Sequence, residues 1–514
     1  FITSLLKLML GGLIMDPDFH IAKHAIILGA GPAGLAAGHE FTRHGGRVTV
    51  LERNGYVGGL CVTIEQDGYK FDIGGHRWFT KNEHLNNWFR RLMEGEIVMV
   101  QRISRIFHGG KFFSYPISFG DLIKNTDLLT IAHAGASFLA VALRQSISPM
   151  PILNMKDAYT SQFGSKLYRL FFEQYSEKVW GKPCEQLSAD WVSQRSKGLS
   201  VFNLVRNALM PSKERAVSLV EEFMYPRDGY VRIPERMAED IAAAGNEIRL
   251  NSAVNRIVCH GPHDFEVFFG VGDAAGSVRG DAIVSTIPLG RLAQILEPKC
   301  DQRIIDAAQK LRFRDLITIN LRLKKNQVTP DTWLYVQDRE ILFGRIHEPK
   351  NWSAAMVPDA DHTSLVLECF CTRGDHIWSM GDEQIAARCV DDLASKLKFI
   401  GREEVVGFQA VRTVQAYPVY DLDYRENIAT VMSFINSLPG VHVIGRGGTF
   451  RYNNADHSIE MGLLLGRKLL GYNVDHMSVN TESEYHEIIQ SDKIKRDHYA
   501  DSEPAADKES VTAG

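Results

Sequence analysis

The run Gly29-Ala-Gly-Pro-Ala-Gly34 constrains this chain more than any other stretch. It follows the short apolar segment Ala25-Ile-Ile-Leu28 and opens a helical pattern that reaches about His44. A second apolar segment, Val48-Thr-Val-Leu51, ends in Glu52, 23 residues after Gly29. Continuous apolar strands are what a sheet covered on both faces requires. Gly29 permits the tight turn, Gly31 lets a pyrophosphate approach the main chain, and Gly34 lets helix and strand pack closely. The helix N-terminus then directs N–H groups and a partial positive charge at the phosphates. Glu52 can accept hydrogen bonds from a ribose, and its charge disfavours a 2′-phosphate there. Together these features predict a βαβ unit that binds a dinucleotide.

At 514 residues the chain exceeds one compact domain. The balance of 58 basic against 62 acidic residues provides no global field for gripping a phosphate backbone, so nucleic acid is not expected as a partner. Seven scattered cysteines (61, 184, 259, 300, 369, 371 and 389) contain no CxxC, which argues against a zinc site or a disulfide framework and for reduced thiols in a cytoplasmic protein. No metal is expected. Residues 1–14 read as an upstream extension ahead of Met15, too short to span a membrane.

Along the chain, helices are predicted within 85–224, at Lys166–Glu177, Asp190–Leu209 and Val217–Met224, and Leu128 to Leu143 reads as a buried helix. Ile233–Ala244 is amphipathic, and Glu247–Val258 alternates as a strand does. Leu316–Leu323, Ser364–Phe370 and 405–415 read as strands of an antiparallel sheet, and 382–397 as a helix. Val441–Ile444 runs into a glycine-rich loop and the helix Ile459–Leu470. The expected fold is α/β: a discontinuous Rossmann-like nucleotide domain with a helical insertion and an antiparallel β-sheet insertion. Its pieces are a 1–20 extension, the nucleotide domain at 21–85, 225–300 and 436–480, a helical substrate domain at 86–224, a β-sheet substrate domain at 301–435, and a disordered tail at 492–514.

Further motifs carry a family resemblance. Glu52-Arg53 is followed by Gly58-Gly59, and Phe71-Asp-Ile-Gly74-Gly75-His76-Arg77-Trp78 comes next. Gly445-Arg446 is followed by Tyr452 and Asp456 and then by a helix. Tyr175-Ser-Glu-Lys-Val-Trp180, Arg314-Asp-Leu and Tyr417-Pro418 lie between them in one order. This set resembles UDP-galactopyranose mutase and its relatives in the amine oxidase and protoporphyrinogen oxidase superfamily, over about residues 24–475. The resemblance implies FAD as cofactor, held by Gly29, Gly31, Gly34, Glu52, Arg53, Gly58, Gly59, Gly75, His76, Val254, Gly445, Asp456 and Ile459. It implies a substrate site of Tyr175, Trp180, Arg195, Arg314, Tyr417, Arg446 and Tyr452, with His76 tuning the flavin and Arg314, Tyr417, Arg446 and Tyr452 clamping a departing diphosphate. An arginine fork suits a diphosphate because it binds two oxygens at once, and an aromatic pair can hold a base.

The activity so implied is pyranose/furanose isomerisation of a nucleotide-activated sugar, with reduced flavin N5 as the covalent catalyst. Its partners would be that small-molecule substrate and an external reductant such as NAD(P)H, and homo-oligomerisation stays open. The second reading is an oxidoreductase passing hydride from substrate to FAD, and a third is a flavin-binding partner without chemistry. Departures from the mutase pattern, such as the insert around 120–155 and Asn453-Asn454 before Asp456, leave the sugar and the base open.

Overall fold

A computed structural model describes residues 20–480, apart from 116, 118, 149–150, 193–221 and 273–274. The parallel sheet at its centre has five strands, in the order Val441–Val443, Ala282–Ser285, His24–Leu28, Arg47–Leu51, Glu247–Arg249. Its members come from four distant stretches, so the nucleotide fold is discontinuous. His24–Leu28 is central, and Ala25 to Leu28 are inaccessible to solvent, as burial on both faces demands.

Two helices cover one face of this sheet. Pro32–Arg43 follows the first strand, with Pro32 at its first position, where proline's missing N–H costs nothing. Ala455–Leu469, near the C-terminal end, lies directly against it. Small residues make the approach close. A Cβ on Gly462 would stand 2.3 Å from the Ala33 carbonyl oxygen, and one on Gly466 would stand 2.8 Å from that of Ala37. Arg467 on the second helix meets Glu40 on the first at 2.7 Å. The N- and C-terminal parts of the fold are thereby locked into one unit.

The second large sheet has seven strands, in the order Val405–Pro418, Phe313–Leu323, Thr363–Cys371, Arg345–His347, Trp333–Val336, Ser104–His108, Lys111–Ser114. The expected antiparallel β insertion is present, and it is larger than expected. Ser104–His108 pairs in parallel with Trp333–Val336, so the 86–224 segment is not helical throughout. Val217–Met224 was expected to be helical, yet Glu222–Pro226 is a strand paired with Ile97–Gln101. Its alternating Phe223 and Tyr225 side chains pack into the core, an environment that overrides local helical periodicity. Residues 217–221 lie outside the described residues, as do most of Asp190–Leu209, residues 1–19 and the 492–514 tail.

The helix expected at Leu128 to Leu143 exists and runs to Ile147, but it is not buried. Leu128, Leu129, Leu139, Leu143 and Ile147 are all exposed, and Ala134 is its buried residue. Apolar composition does not distinguish a core helix from a surface helix resting on one neighbour.

Gly462→Val is expected to force the two covering helices apart and to cost about 1–3 kcal/mol through overpacking. Thermal unfolding of the purified protein would show it as a lower midpoint, and Leu463→Met, which keeps the volume, is expected to change it little.

Candidate active site

The glycine-rich turn is built as its spacing requires. Gly29 has a φ of +106°, and a Cβ there would lie 2.2 Å from the Thr286 hydroxyl. Gly34 has no room either, since a Cβ would meet the Gly29 carbonyl at 2.2 Å. Glu52 accepts the N–H groups of Ala30 at 2.8 Å and Asn54 at 2.9 Å. Its carboxylate is thus fixed at the mouth of the turn, with acceptor sites to spare. Two more glycine segments converge here. The Gly58 N–H donates to the Ala30 carbonyl at 2.8 Å, and a Cβ on Gly59 would come within 3.1 Å of the Gly31 Cα. Gly445, with a φ of +75°, would bring a Cβ to 2.9 Å from that of Ala33. Such a cradle of bare main chain at a helix N-terminus fits a pyrophosphate.

From the cradle opens a cleft of about 1430 Å³, its mouth included. Gly74, Gly75, His76 and Arg77 form one wall, Tyr417, Arg446, Tyr452 and Asp456 another, and Trp333, Tyr335, Arg345 and Trp352 a third.

One network ties these walls. Arg345 sits directly opposite Glu368 on neighbouring strands, and the pair is separated by 2.8 Å. Glu368 also accepts the Gly75 N–H at 3.4 Å, and Arg345 donates to the Tyr417 hydroxyl at 2.8 Å. Tyr417 stacks on Tyr452, with centroids 5.6 Å apart and planes 15° apart. Arg446 stands over both rings, at 5.3 and 5.1 Å. It donates from Nε and Nη2 to the Asn453 carbonyl and from Nη1 to that of Ala416, which leaves two of its five N–H donors. Among the described residues no carboxylate lies within ion-pairing distance of it.

Burial raises the Glu368 carboxyl above its ordinary range, and the Arg345 charge opposes that rise. Burial works against the charge of Arg345, but Glu368 and the surrounding tyrosines hold its affinity for the proton well above normal. Burial, with Arg446 and then Arg345 adding repulsion, presses His76 down to about 3, so its ring is neutral at physiological pH. Buried polar atoms with no hydrogen-bond partner, His76 Nδ1, Trp333 Nε1 and Arg345 Nε, cluster here. Buried polar atoms of this kind are satisfied in most proteins, so their concentration in one cleft fits a bound polar cofactor.

Other expected site residues stand elsewhere. Arg314 is not part of the clamp. It is buried, and it donates to the Val179 carbonyl at 2.9 Å, to that of Lys178 at 3.4 Å and to the Thr372 hydroxyl. Those carbonyls end the helix Glu173–Trp180, so Arg314 caps that helix, and a Cβ on Gly181 would collide with its guanidinium. The expected Tyr175–Trp180 sandwich does not form. Five residues apart on one helix, the two side chains diverge by about 140°. Trp180 is buried edge-on against Trp191 and Tyr452, and Tyr175 meets Tyr335 edge-on. Arg53 is exposed, Val254 begins a strand beside Phe269, and Ile459 is a core residue under the first covering helix. Arg195 lies outside the described residues.

Arg345 and Glu368 were not expected from sequence. One signal was present: Glu368 is the lone charge in the apolar run Thr363–Cys371, and such a charge requires a buried partner.

The family model for flavin containing amine oxidoreductases matches residues 32–445. The chain belongs to this family. It is an FAD-dependent flavoenzyme of the amine oxidase superfamily. Among curated relatives it is 24% identical to phytoene desaturase of Fusarium fujikuroi over 46% of this chain and 44% of that one, so the match spans less than half of that relative's length. It is 24% identical to UDP-galactopyranose mutase of Mycoplasma pneumoniae over 45% of this chain and 55% of the relative. To the mitochondrial protoporphyrinogen oxidase of Nicotiana tabacum it is 21% identical, over 83% and 91%. Among solved structures, a reduced UDP-galactopyranose mutase superposes with a TM-score of 0.78 at 21% identity, covering 90% of this chain and 98% of that one. A putrescine oxidase superposes with a TM-score of 0.60 at 17% identity, covering 87% and 99%. At these identities the structures establish a shared fold.

His347 is stacked on Trp333 beside this cleft, and burial, with His76 and Arg345 adding repulsion, presses it to about 3. Between about pH 6.5 and 3 the unfolded chain binds a proton at this residue that the folded chain refuses, so stability falls as the pH drops. His347→Gln is expected to flatten that dependence by up to one proton, about 1.4 kcal/mol per pH unit. Urea unfolding at pH 6.5 and pH 5 would measure it.

Proposed function

We propose that this flavoenzyme acts on a nucleotide-activated sugar and interconverts its pyranose and furanose forms while the flavin stays reduced. The observation that carries the reading is the pair of guanidinium groups, Arg345 and Arg446, on either side of the stacked Tyr417 and Tyr452 and across from the Gly74–His76 loop. Arg446, which no carboxylate pairs among the described residues, supplies the positive charge that attracts a diphosphate, while Arg345, balanced by Glu368, directs an N–H at Tyr417.

In this reading Gly29, Gly31, Gly34, Gly58, Gly59 and Gly445 hold the FAD pyrophosphate on bare main chain, and Glu52 holds its ribose. When bound and reduced, FAD supplies an electron-rich ring nitrogen. The remaining work belongs to the chain. Arg446 directs its two spare N–H donors at the substrate diphosphate, and each charged hydrogen bond there is worth about 1.5–3 kcal/mol. Tyr417, its hydroxyl oxygen occupied by the Arg345 N–H, can donate its own proton toward the departing phosphate oxygen. Glu368 is a positioning residue, holding Arg345 and the Gly75 main chain in register. His76 stays neutral and adds no further charge beside the diphosphate.

The second reading, net hydride transfer from substrate to FAD, draws on the aromatic side of the cleft. Trp333, Trp352 and Phe223 form a packed cluster there, a surface suited to a flat apolar substrate.

The two readings separate on oxygen. Purified protein, reduced with dithionite and given UDP-galactopyranose, UDP-glucose or related sugars, is expected to yield a ring isomer by chromatography with no net oxidation. Stoichiometric consumption of oxygen and substrate by the oxidised protein without dithionite, and no isomer from the reduced protein, would establish the oxidoreductase instead. Arg446→Lys is expected to lower kcat/KM by about tenfold to a hundredfold. Tyr417→Phe is expected to lower kcat by about tenfold with little change in KM, since it removes a proton donor and keeps the ring stack.

A further inference from the structure

We propose that the helix Leu128–Ile147, with the basic cleft at its flank, is a docking face for an anionic phospholipid bilayer, on which the enzyme lies without crossing. Sixteen large apolar side chains are strongly exposed among the described residues, and eight of them fall between Ile123 and Leu153. Such a concentration differs from the single exposed apolar residues of ordinary surfaces. The five within the helix, Leu128, Leu129, Leu139, Leu143 and Ile147, are 61–84% exposed. At 100° per residue they lie in one arc of about 100°. Ala132 and Ala136 fall in the same arc and are also exposed, and Ser146 at its margin is the one polar residue within it. Ile123, before the helix, and Ile152 and Leu153, after it, continue the apolar surface at both ends.

Charge decides what covers this stripe. His133 and Arg144 stand along one edge of the arc, and both are exposed. Beyond that edge opens a cleft lined by His133, Ser137, Ser165, Lys166, Arg169 and Leu170. Among the described residues no carboxylate pairs with Arg144, Lys166 or Arg169. Asp127, at the helix N-cap, feels Lys166 only as a minor influence, after its own hydrogen bonds to Thr130. An apolar stripe bordered by basic residues and a hydroxyl-lined basic cleft matches acyl chains beside a phosphate headgroup. A second copy of the chain is a poorer match, because a two-fold contact through this face would bring the two basic borders together.

The helix is long enough to cross a bilayer, at about 30 Å, but its back is committed to protein. Its buried residue, Ala134, faces away from the stripe. A Cβ on Gly164 of the adjacent helix Met155–Phe171 would lie 2.9 Å from the Phe138 Cα, and Ser137 accepts the Lys166 N–H at 3.2 Å. A helix clamped in this way presents one side to a membrane and lies in its plane.

The test uses the flavin-loaded full chain and vesicle co-sedimentation. Binding is expected to vesicles of equimolar phosphatidylcholine and phosphatidylglycerol, to weaken with added salt, and to be much lower with phosphatidylcholine alone. Leu139→Glu/Leu143→Glu and, separately, Lys166→Glu/Arg169→Glu are each expected to reduce it by about tenfold or more. Both variants are checked for retained flavin absorbance and an unchanged melting midpoint, which exposed Leu139, Leu143 and Arg169 and half-buried Lys166 should not alter. Three results would overturn the proposal: no binding to the anionic vesicles, binding unchanged in the leucine variant, or a dimer by sedimentation velocity that this variant dissociates.

Discussion

A buried ion pair between two adjacent strands organises the candidate site. Glu368 would be the only charge in a run of apolar residues if Arg345 did not stand opposite it. Neither group could be enclosed alone without a desolvation cost of several kcal/mol. Paired, they have capacity left over, and they use it across the cleft. Glu368 accepts from the Gly75 main chain, and Arg345 donates to Tyr417. The loop at 71–78, the central strands of the large sheet and the tyrosine stack are thereby held in one register. The nucleotide domain and the β insertion meet through this contact.

The same arrangement gives the cleft its sign. Glu368 balances Arg345 and is itself enclosed, whereas Arg446 is held by main-chain carbonyls and, among the described residues, has no carboxylate within ion-pairing distance. His76 and His347 do not add to that charge, because burial keeps both neutral, with Arg446 and Arg345 adding repulsion at His76 and His76 and Arg345 adding it at His347. Among the described residues the cleft walls thus carry the Arg446 guanidinium without a carboxylate partner.

The nucleotide fold was legible because its signals are local. A strand, a glycine turn and a helix obey spacing rules that the chain writes within 30 residues, and the second strand and Glu52 follow directly. The antiparallel strands around 316–323 and 364–370 were legible from their β-rich apolar runs. Arg314 and Arg345 could not be told apart in this way. Both are arginines on strands of one sheet, and their roles depend on what stands across from each. Arg314 faces the last carbonyls of a helix, and Arg345 faces a carboxylate and a tyrosine. The Tyr175–Trp180 pair shows the same limit, since helical rotation sends the two rings in different directions.

The sequence by itself determined the nucleotide fold from the spacing of its glycine turn, and its resemblance to a flavoenzyme family pointed to FAD and to several residues that line the cleft, among them His76, Tyr417, Arg446 and Tyr452. Those residues stand in short motifs that the resemblance could match one by one. Tertiary structure alone decided which arginine faces the cleft and which caps a helix. It alone decided that Glu368 is paired, and that the apolar helix Leu128–Ile147 lies on the surface. Each of these outcomes depends on a neighbour brought in from far along the chain, and a linear sequence does not state the partners that long-range packing supplies.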